Sequence, residues 1–401
     1  MVMVKRTFVY IFGEIIARIA PLALLPYLGW EYGASGLALY STYILIGFFA
    51  QSIGCAWLCP YIHVMFFKRP SRYLSLIKLG EIVGWSQLLL SLVLLVVLYL
   101  NGVADEVLIF SCGIVLGAIQ VFLQVALADL QLRGDAKNYV LLNSVRPITF
   151  VVIVYVALYF ECSIPLPLLV LSNIALSGVC VIPAMLLIRK RVCPVTSLSN
   201  FRLLAREAWG FGLPLLPGVL MMNFRTAVDR VVLGSFYGVE IVGAYVAAYQ
   251  LSSVVMVLSS GLVKALGPIV MKCLSVGDVA KVKKLVLVYA LILLVNTVVV
   301  FGLLTAGFGS IAGEEFSDLH GFEFLIFGLL CQCVAGFLTA YFQYYRKTKF
   351  LLQLNIIFMA VYCCFAAVGG GISISAFVSA SFLFSFITSC LVYKYGFKNI
   401  F

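Results

Sequence analysis

Residues 285–304 read LVLVYALILLVNTVVVFGLL, twenty positions without one charged side chain. A helix rising 1.5 Å per residue needs about 20 such positions to cross a hydrocarbon core. Lipid offers no hydrogen-bond partner, so a segment of this kind must satisfy its own backbone as a helix or as a strand of a closed barrel. Barrel strands would alternate apolar and polar side chains over about ten residues. This run does not alternate, and neither does 88–100 (LLLSLVLLVVLYL). The sequence therefore predicts an all-α polytopic membrane protein. Charged residues make up 11% of the chain, less than half of the roughly 25% usual for soluble domains, so a water-facing surface could not be covered.

Dividing the hydropathy at its polar breaks predicts twelve spans, near 8–28, 37–59, 80–100, 107–128, 140–160, 166–188, 209–233, 241–263, 285–306, 322–345, 350–369 and 372–393. The first carries Glu14, Arg18, Pro21 and Pro26, which is too long and too polar for a secretory leader and reads as a mature span. Cytoplasmic loops collect Lys and Arg. With both termini placed inside, the inward segments and adjoining helix ends take 24 of the 27 basic residues, Arg133, Lys137 and Arg146 among them. Outward loops take none, but hold Glu31, Asp105, Glu106, Glu161, Glu240, Glu314, Glu315 and Asp318. The net charge of +11 is thus accounted for by orientation, and no nucleic-acid partner is expected. The twelve Cys lie scattered through predicted spans, with His63 and His320 far in sequence from the tightest Cys groupings, so no metal site or other cofactor is expected.

The basic segment 189–208 divides the chain into an N-terminal bundle, 1–188, and a C-terminal bundle, 209–401, of six spans each. Each half carries one hexapeptide, LGWEYG at 28–33 and LGSFYG at 233–238, where its first span meets its outward loop. A Pro follows the second Gly of each, Pro60 after 27 residues and Pro268 after 30. Two six-helix copies share one orientation, a parallel repeat found in transporters that bind substrate between their halves.

The stretch from Asn223 through Asp229 and Arg230 to Gly234, then Tyr237, Gly238, Gly243, Tyr245 and Tyr249, resembles the seventh and eighth helices of Wzx-type O-antigen and polysaccharide flippases. These belong to the multidrug/oligosaccharidyl-lipid/polysaccharide (MOP) exporter superfamily. The run from Leu28 to Gly33 and then Tyr40 is similar to their first loop and second helix. The resemblance implies a bacterial inner-membrane protein made of two six-helix bundles. It implies a cargo of undecaprenyl-diphosphate-linked oligosaccharide passed from the cytoplasmic to the periplasmic leaflet. Membrane lipids, a polysaccharide polymerase and a chain-length regulator are the expected partners.

Three positive charges remain inside predicted spans: Arg18, Arg225 and Arg230. A charge at mid-bilayer costs about 2.5–3.5 kcal/mol on insertion scales, so it faces a polar cavity or a partner. Guanidinium groups bind phosphate oxygens bidentately and stay charged. On one reading Arg18 and Arg225 hold the diphosphate headgroup. On the other they form intrahelical ion pairs with Glu14 and Asp229, each four residues away. Arg230 falls on another face, near the outer end of its span; it is a further candidate for the headgroup, or else it snorkels to the interface. Asp229 and Glu14 are the candidates for coupling to H⁺ or Na⁺. Gln120 and Gln124 on one face of the fourth span, and Asn223, are weaker candidates for sugar hydroxyls, or else hydrogen-bond partners between helices. Pro21, Pro26, Pro214 and Pro217 would bend the opening helices. Two other functions compete: a cation-coupled multidrug exporter of the same superfamily, and a membrane polymerase or glycosyltransferase. The inward loops lack the paired carboxylates an enzyme would use as acid and base, so a non-enzyme is expected.

Overall fold

The computed structural model describes residues 9–10, 12–13, 15–17, 23–189, 198–312, 322–345 and 347–398. Every regular element among them is helical. Helix α1 (Leu25–Gln51) runs into a five-residue π-helical stretch at Ser52–Ala56, then α2 (Leu58–Lys68), α3 (Pro70–Leu100), α4 (Asp105–Arg133), α5 (Ala136–Tyr159) and α6 (Leu166–Arg189). After α7 (Leu198–Gly212) come α8 (Leu216–Tyr237), α9 (Val239–Ser252), α10 (Val254–Val276), α11 (Val279–Ala312), α12 (Phe322–Tyr344), α13 (Thr348–Ile372) and α14 (Ile374–Lys398).

Nine helical stretches among the described residues are long and apolar enough to cross a membrane, and the chain is a multi-pass membrane protein. They cover nine of the twelve expected spans. The remaining three are informative. Span 8–28 lies largely outside the described residues. Span 372–393 is the 25-residue α14, whose apolar core is the shorter Ala376–Thr388. Span 209–233 resolves into the end of α7 and the whole of α8, and α8 carries Arg225, Asp229 and Arg230 within six positions.

The helices cluster into two compact units, one of Leu39–Asn223 and one of Met1–Ala38 with Phe224–Phe401. This grouping takes the first 38 residues with the C-terminal helices, where the sequence reading set them with the N-terminal ones. In the Leu39–Asn223 unit α4 packs against α3, α5 and α6. Two-thirds (67%) of its apolar window is buried, against 11% for α3, so α4 is the central helix and α3 faces outward. In the other unit α12 has this place, 53% buried, with α10, α11 and α14 against it. These are the fourth span of each predicted half.

The repeated hexapeptide has a repeated backbone. Gly33 has φ +64° and Gly238 φ +88°, left-handed values that cost a side-chain-bearing residue about 1–2 kcal/mol. Each breaks its helix at the last position of the hexapeptide. A second interruption follows in each half, the π-helical stretch after Gln51 and the break at Ser253 between α9 and α10. Equivalent glycines thus impose equivalent bends on both copies.

The segment expected as a basic linker, 189–208, is helical from Leu198. α7 is amphipathic, burying Leu204, Ala208 and Phe211 while Arg202 and Arg206 stay exposed. It docks on α2 and its π-helical lead-in, Trp209 stacking on Trp57 at 5.1 Å and Phe211 packing on Tyr61 at 5.0 Å. Glu207 accepts from the Tyr61 hydroxyl at 3.2 Å and pairs with Arg72 at 3.4 Å.

Candidate functional site

The three charges that keep α8 from reading as a plain apolar span sit mid-helix and separate onto two faces. Arg225 and Asp229 are four residues apart and share one; Arg230 lies about 140° round from Arg225 at roughly 100° per residue.

On the shared face a closed network has formed. The Arg225 Nη1 donates to Ser385 Oγ at 2.9 Å, and Nη2 donates to the Ser381 carbonyl at 3.2 Å and to Ser381 Oγ. Both serines are on α14. The guanidinium lies over the Tyr362 ring at 4.6 Å and near that of Phe384 at 5.9 Å. Asp229 is 2% exposed and accepts from the Tyr245 hydroxyl of α9 at 2.6 Å and from the Tyr362 hydroxyl of α13. Tyr362 therefore serves both charges, its π face the cation and its hydroxyl the carboxylate. No ion pair within 4.0 Å joins Arg225 to Asp229, so the two are linked through the tyrosine and not by direct contact. Leu233, Val242, Val246, Leu325, Ala366 and Phe377 pack with the two tyrosines into one buried cluster, which closes the network off from lipid. Four helices, α8, α9, α13 and α14, are pinned together by it.

Arg230 is different. Its Nε and Nη1 are buried and have no hydrogen-bond partner among the described residues. Tyr245, Tyr249 and Asp229 are its charged or titratable neighbours. A guanidinium with two buried, unused donor nitrogens is costly, because an unmade hydrogen bond from a charged group forfeits about 1.5–3 kcal/mol or more. Such a group waits for an acceptor.

No protein-family model and no curated protein matches this sequence. Solved structures do match. A MATE crystallised with MaD5 superposes with a TM-score of 0.76 at 16% identity, covering 100% of this chain and 95% of that one. An outward-facing multidrug resistance MATE family transporter of the MOP superfamily gives 0.74 at 15%, with 100% and 95% covered. A MOP superfamily transporter from Pyrococcus furiosus, whose binding pocket is described as reversed in polarity and suggestive of a different function, gives 0.73 at 15% over 100% and 95%. This chain has the MATE fold.

On this MATE scaffold the other expected residues fall as follows. Glu14 and Arg18 lie outside the described residues, as does the side chain of Asn223. Gln120 and Gln124 lie on the central α4 with Gln120 8% exposed, and neither amide has a hydrogen-bond partner among the described residues. They belong to the Leu39–Asn223 unit, whereas Arg225, Asp229 and Arg230 belong to the other. No group of three or more metal-ligating side chains occurs among the described residues.

Five participants carried no assigned role in the sequence. Tyr362, Ser381 and Ser385 sit more than 130 residues from Arg225 and Asp229, and nothing sets this tyrosine apart from the other 20. Tyr245 had a signal: it follows the left-handed Gly238 by seven positions, as Tyr40 follows Gly33. The fifth is Arg146. Counted with the inward segments and adjoining helix ends, it is the eleventh residue of the 24-residue apolar stretch Ala136–Tyr159, about 15 Å along the helix from its start.

Proposed function

We propose that this protein is a transporter that moves an anionic, lipid-linked cargo across the membrane. More finely, it is a flippase for an undecaprenyl-diphosphate-linked oligosaccharide, working in a bacterial inner membrane beside a polymerase and a chain-length regulator. The observation that carries this reading is Arg230, a cation within α8 with two buried donor nitrogens that have no hydrogen-bond partner among the described residues. A phosphate oxygen is the acceptor that guanidinium geometry suits best. Arg225 takes a holding role here, because its donors already meet Ser381 and Ser385.

Asp229 is the proposed coupling group, with Glu14 as its candidate counterpart on the first span. Taking up H⁺ or Na⁺ at Asp229 would change what the Tyr245 and Tyr362 hydroxyls donate to, and these hydroxyls tie α9 and α13 to α8. A carboxylate inside a membrane is a common ion relay. The MATE fold match also supports a second reading, a multidrug exporter. That activity calls for acidic groups open to a cationic drug, whereas the carboxylate of α8 is 2% exposed and capped by two hydroxyls.

The test is deletion in the native host followed by complementation. On this reading the deletion accumulates lipid-linked repeat units on the cytoplasmic side and loses surface polymer. Wild type restores the polymer, and Arg230→Gln, present in the membrane at wild-type level, does not. Full rescue by Arg230→Gln would remove the headgroup role. Unchanged surface polymer together with raised drug sensitivity in the deletion strain would move the assignment to the exporter.

A further inference from the structure

Arg146 of α5 is a second intramembrane guanidinium, and it belongs to the Leu39–Asn223 unit. It gives one hydrogen bond, from Nη1 to Ser177 Oγ of α6 at 3.3 Å. No carboxylate lies within ion-pair distance of it among the described residues. The groups around it are Tyr40 and Tyr43 of α1 and Cys180 of α6. Beyond these, Asn173 of α6 donates to the Tyr40 hydroxyl at 3.4 Å. An arginine carries five N–H donors and no acceptor, and the Ser177 hydroxyl takes one of them.

A second donor beside it is idle. Tyr43 is 0% exposed, and its hydroxyl is buried without a hydrogen-bond partner. The same pocket of side chains contains Ser177 and Asn173, 2% and 5% exposed. The polar groups named around Arg146 are neutral, and among the described residues its guanidinium meets only the Ser177 hydroxyl while the Tyr43 hydroxyl meets no acceptor. A cation held mid-span without an opposite charge calls for one from outside the chain. Pro147 follows Arg146 and removes one backbone N–H from this level of α5.

We infer that the Leu39–Asn223 unit holds its own phosphate-group site, with Arg146 as the charged ligand and the Tyr43 hydroxyl as its neutral companion. Its residues belong to the other unit from those of α8, and it does not depend on the cargo assigned above. The chemistry is that of a phosphate oxyanion, whether from a lipid headgroup or from a diphosphate in solution. The probe is inorganic pyrophosphate titrated by calorimetry onto the full-length protein in nanodiscs of zwitterionic lipid. A parallel arm uses nanodiscs containing phosphatidylglycerol and follows thermal stability.

Arg146→Gln is expected to weaken pyrophosphate binding at least tenfold, and Tyr43→Phe about threefold, with Arg230→Gln leaving this site intact. Because Tyr43→Phe removes a single oxygen, it keeps the test open should Arg146→Gln fold poorly. Pyrophosphate binding in zwitterionic discs that is weakened in Arg146→Gln but kept in Arg230→Gln assigns the site to a water-borne or cargo phosphate. Stabilisation by phosphatidylglycerol alone, lost in Arg146→Gln, assigns it to a lipid headgroup. Wild type and both variants alike in both arms would overturn the inference, whatever becomes of the α8 assignment.

Discussion

Asp229 and Arg225 neutralise each other without touching, and that arrangement predicts a specific pattern of stability loss. Residues four apart on a helix have Cβ atoms about 5–6 Å apart. Taking a charge separation of roughly 6 Å and an effective dielectric near 20, the attraction is on the order of 2–3 kcal/mol. Asp229→Asn removes the anion and leaves Arg225 as a buried cation held only by serine hydroxyls, a carbonyl and two aromatic faces. Arg225→Gln leaves a carboxylate, 2% exposed, with two tyrosine hydroxyls and the neighbouring Arg230 guanidinium as its compensation. Breaking a buried pair from one side costs about 3–5 kcal/mol, so each single change should lower stability strongly. The double change Arg225→Gln with Asp229→Asn removes both charges. It should recover about 2–3 kcal/mol relative to the sum of the singles, the size of the attraction itself. At about 2–4 °C per kcal/mol for a unit of this size, the double variant should melt roughly 4–12 °C above the value expected from adding the two losses. The assay is tryptophan-fluorescence melting of purified protein in one detergent, with all four proteins measured together. Additive losses, within 1 °C, would show that the two charges are independent and that Tyr362 does not join them.

Two other outcomes follow from the described contacts. Gly33→Ala and Gly238→Ala each place a side chain at a left-handed φ, while the new methyl meets open space, so each should cost about 1–2 kcal/mol of backbone strain alone; comparable drops in melting temperature are expected, and a silent change at either would break the equivalence of the two halves. Trp209→Ala removes the stack on Trp57 that seats α7, a loss of about 0.5–1.5 kcal/mol beyond the buried area; protease cleavage within 198–212 should quicken, and an unchanged digestion rate would mean that Glu207 with Arg72 holds the helix unaided.

The helical class and most of the spans were legible because lipid leaves the backbone few choices, and a run such as 285–304 satisfies only one of them. The repeat was legible for a related reason. Gly33 and Gly238 occupy conformations that other residues avoid, so both copies kept the same letter at the same place. Hydropathy could not show that α14 has a shorter apolar core, or that 198–212 would be a docked helix. Both depend on which neighbours arrive. The network around Asp229 was hidden for the same cause: Ser381 and Tyr362 contribute through tertiary placement, and serines and tyrosines in apolar helices carry no periodic mark. Arg146 was hidden by bookkeeping of loops, since an arginine ten residues into a span reads as an inward charge when only the sign is counted.

The charges of α8 give the strongest link between sequence and proposed mechanism. A transport helix that must recognise an anion cannot be uniformly apolar, and a cation left alone at mid-span would be expelled or would drag in water. The chain resolves this conflict by dividing the work between two faces of one helix. On one face Arg225 and Asp229 are joined through Tyr362 and closed in by α9, α13 and α14. On the other, Arg230 keeps two donors unused. The neutral face lets the helix be packed rigidly, and rigid packing is what allows Arg230 to be held without a partner until an acceptor comes. If so, loosening the closed face should harm binding at the open one. Tyr362→Phe, which keeps the ring beneath Arg225 but takes one hydroxyl from Asp229, should weaken the affinity of Arg230 for a diphosphate about tenfold or less, with no change at Arg146. Calorimetry with pyrophosphate on the Tyr362→Phe protein measures this directly, and equal affinity in variant and wild type would mean that the two faces act separately.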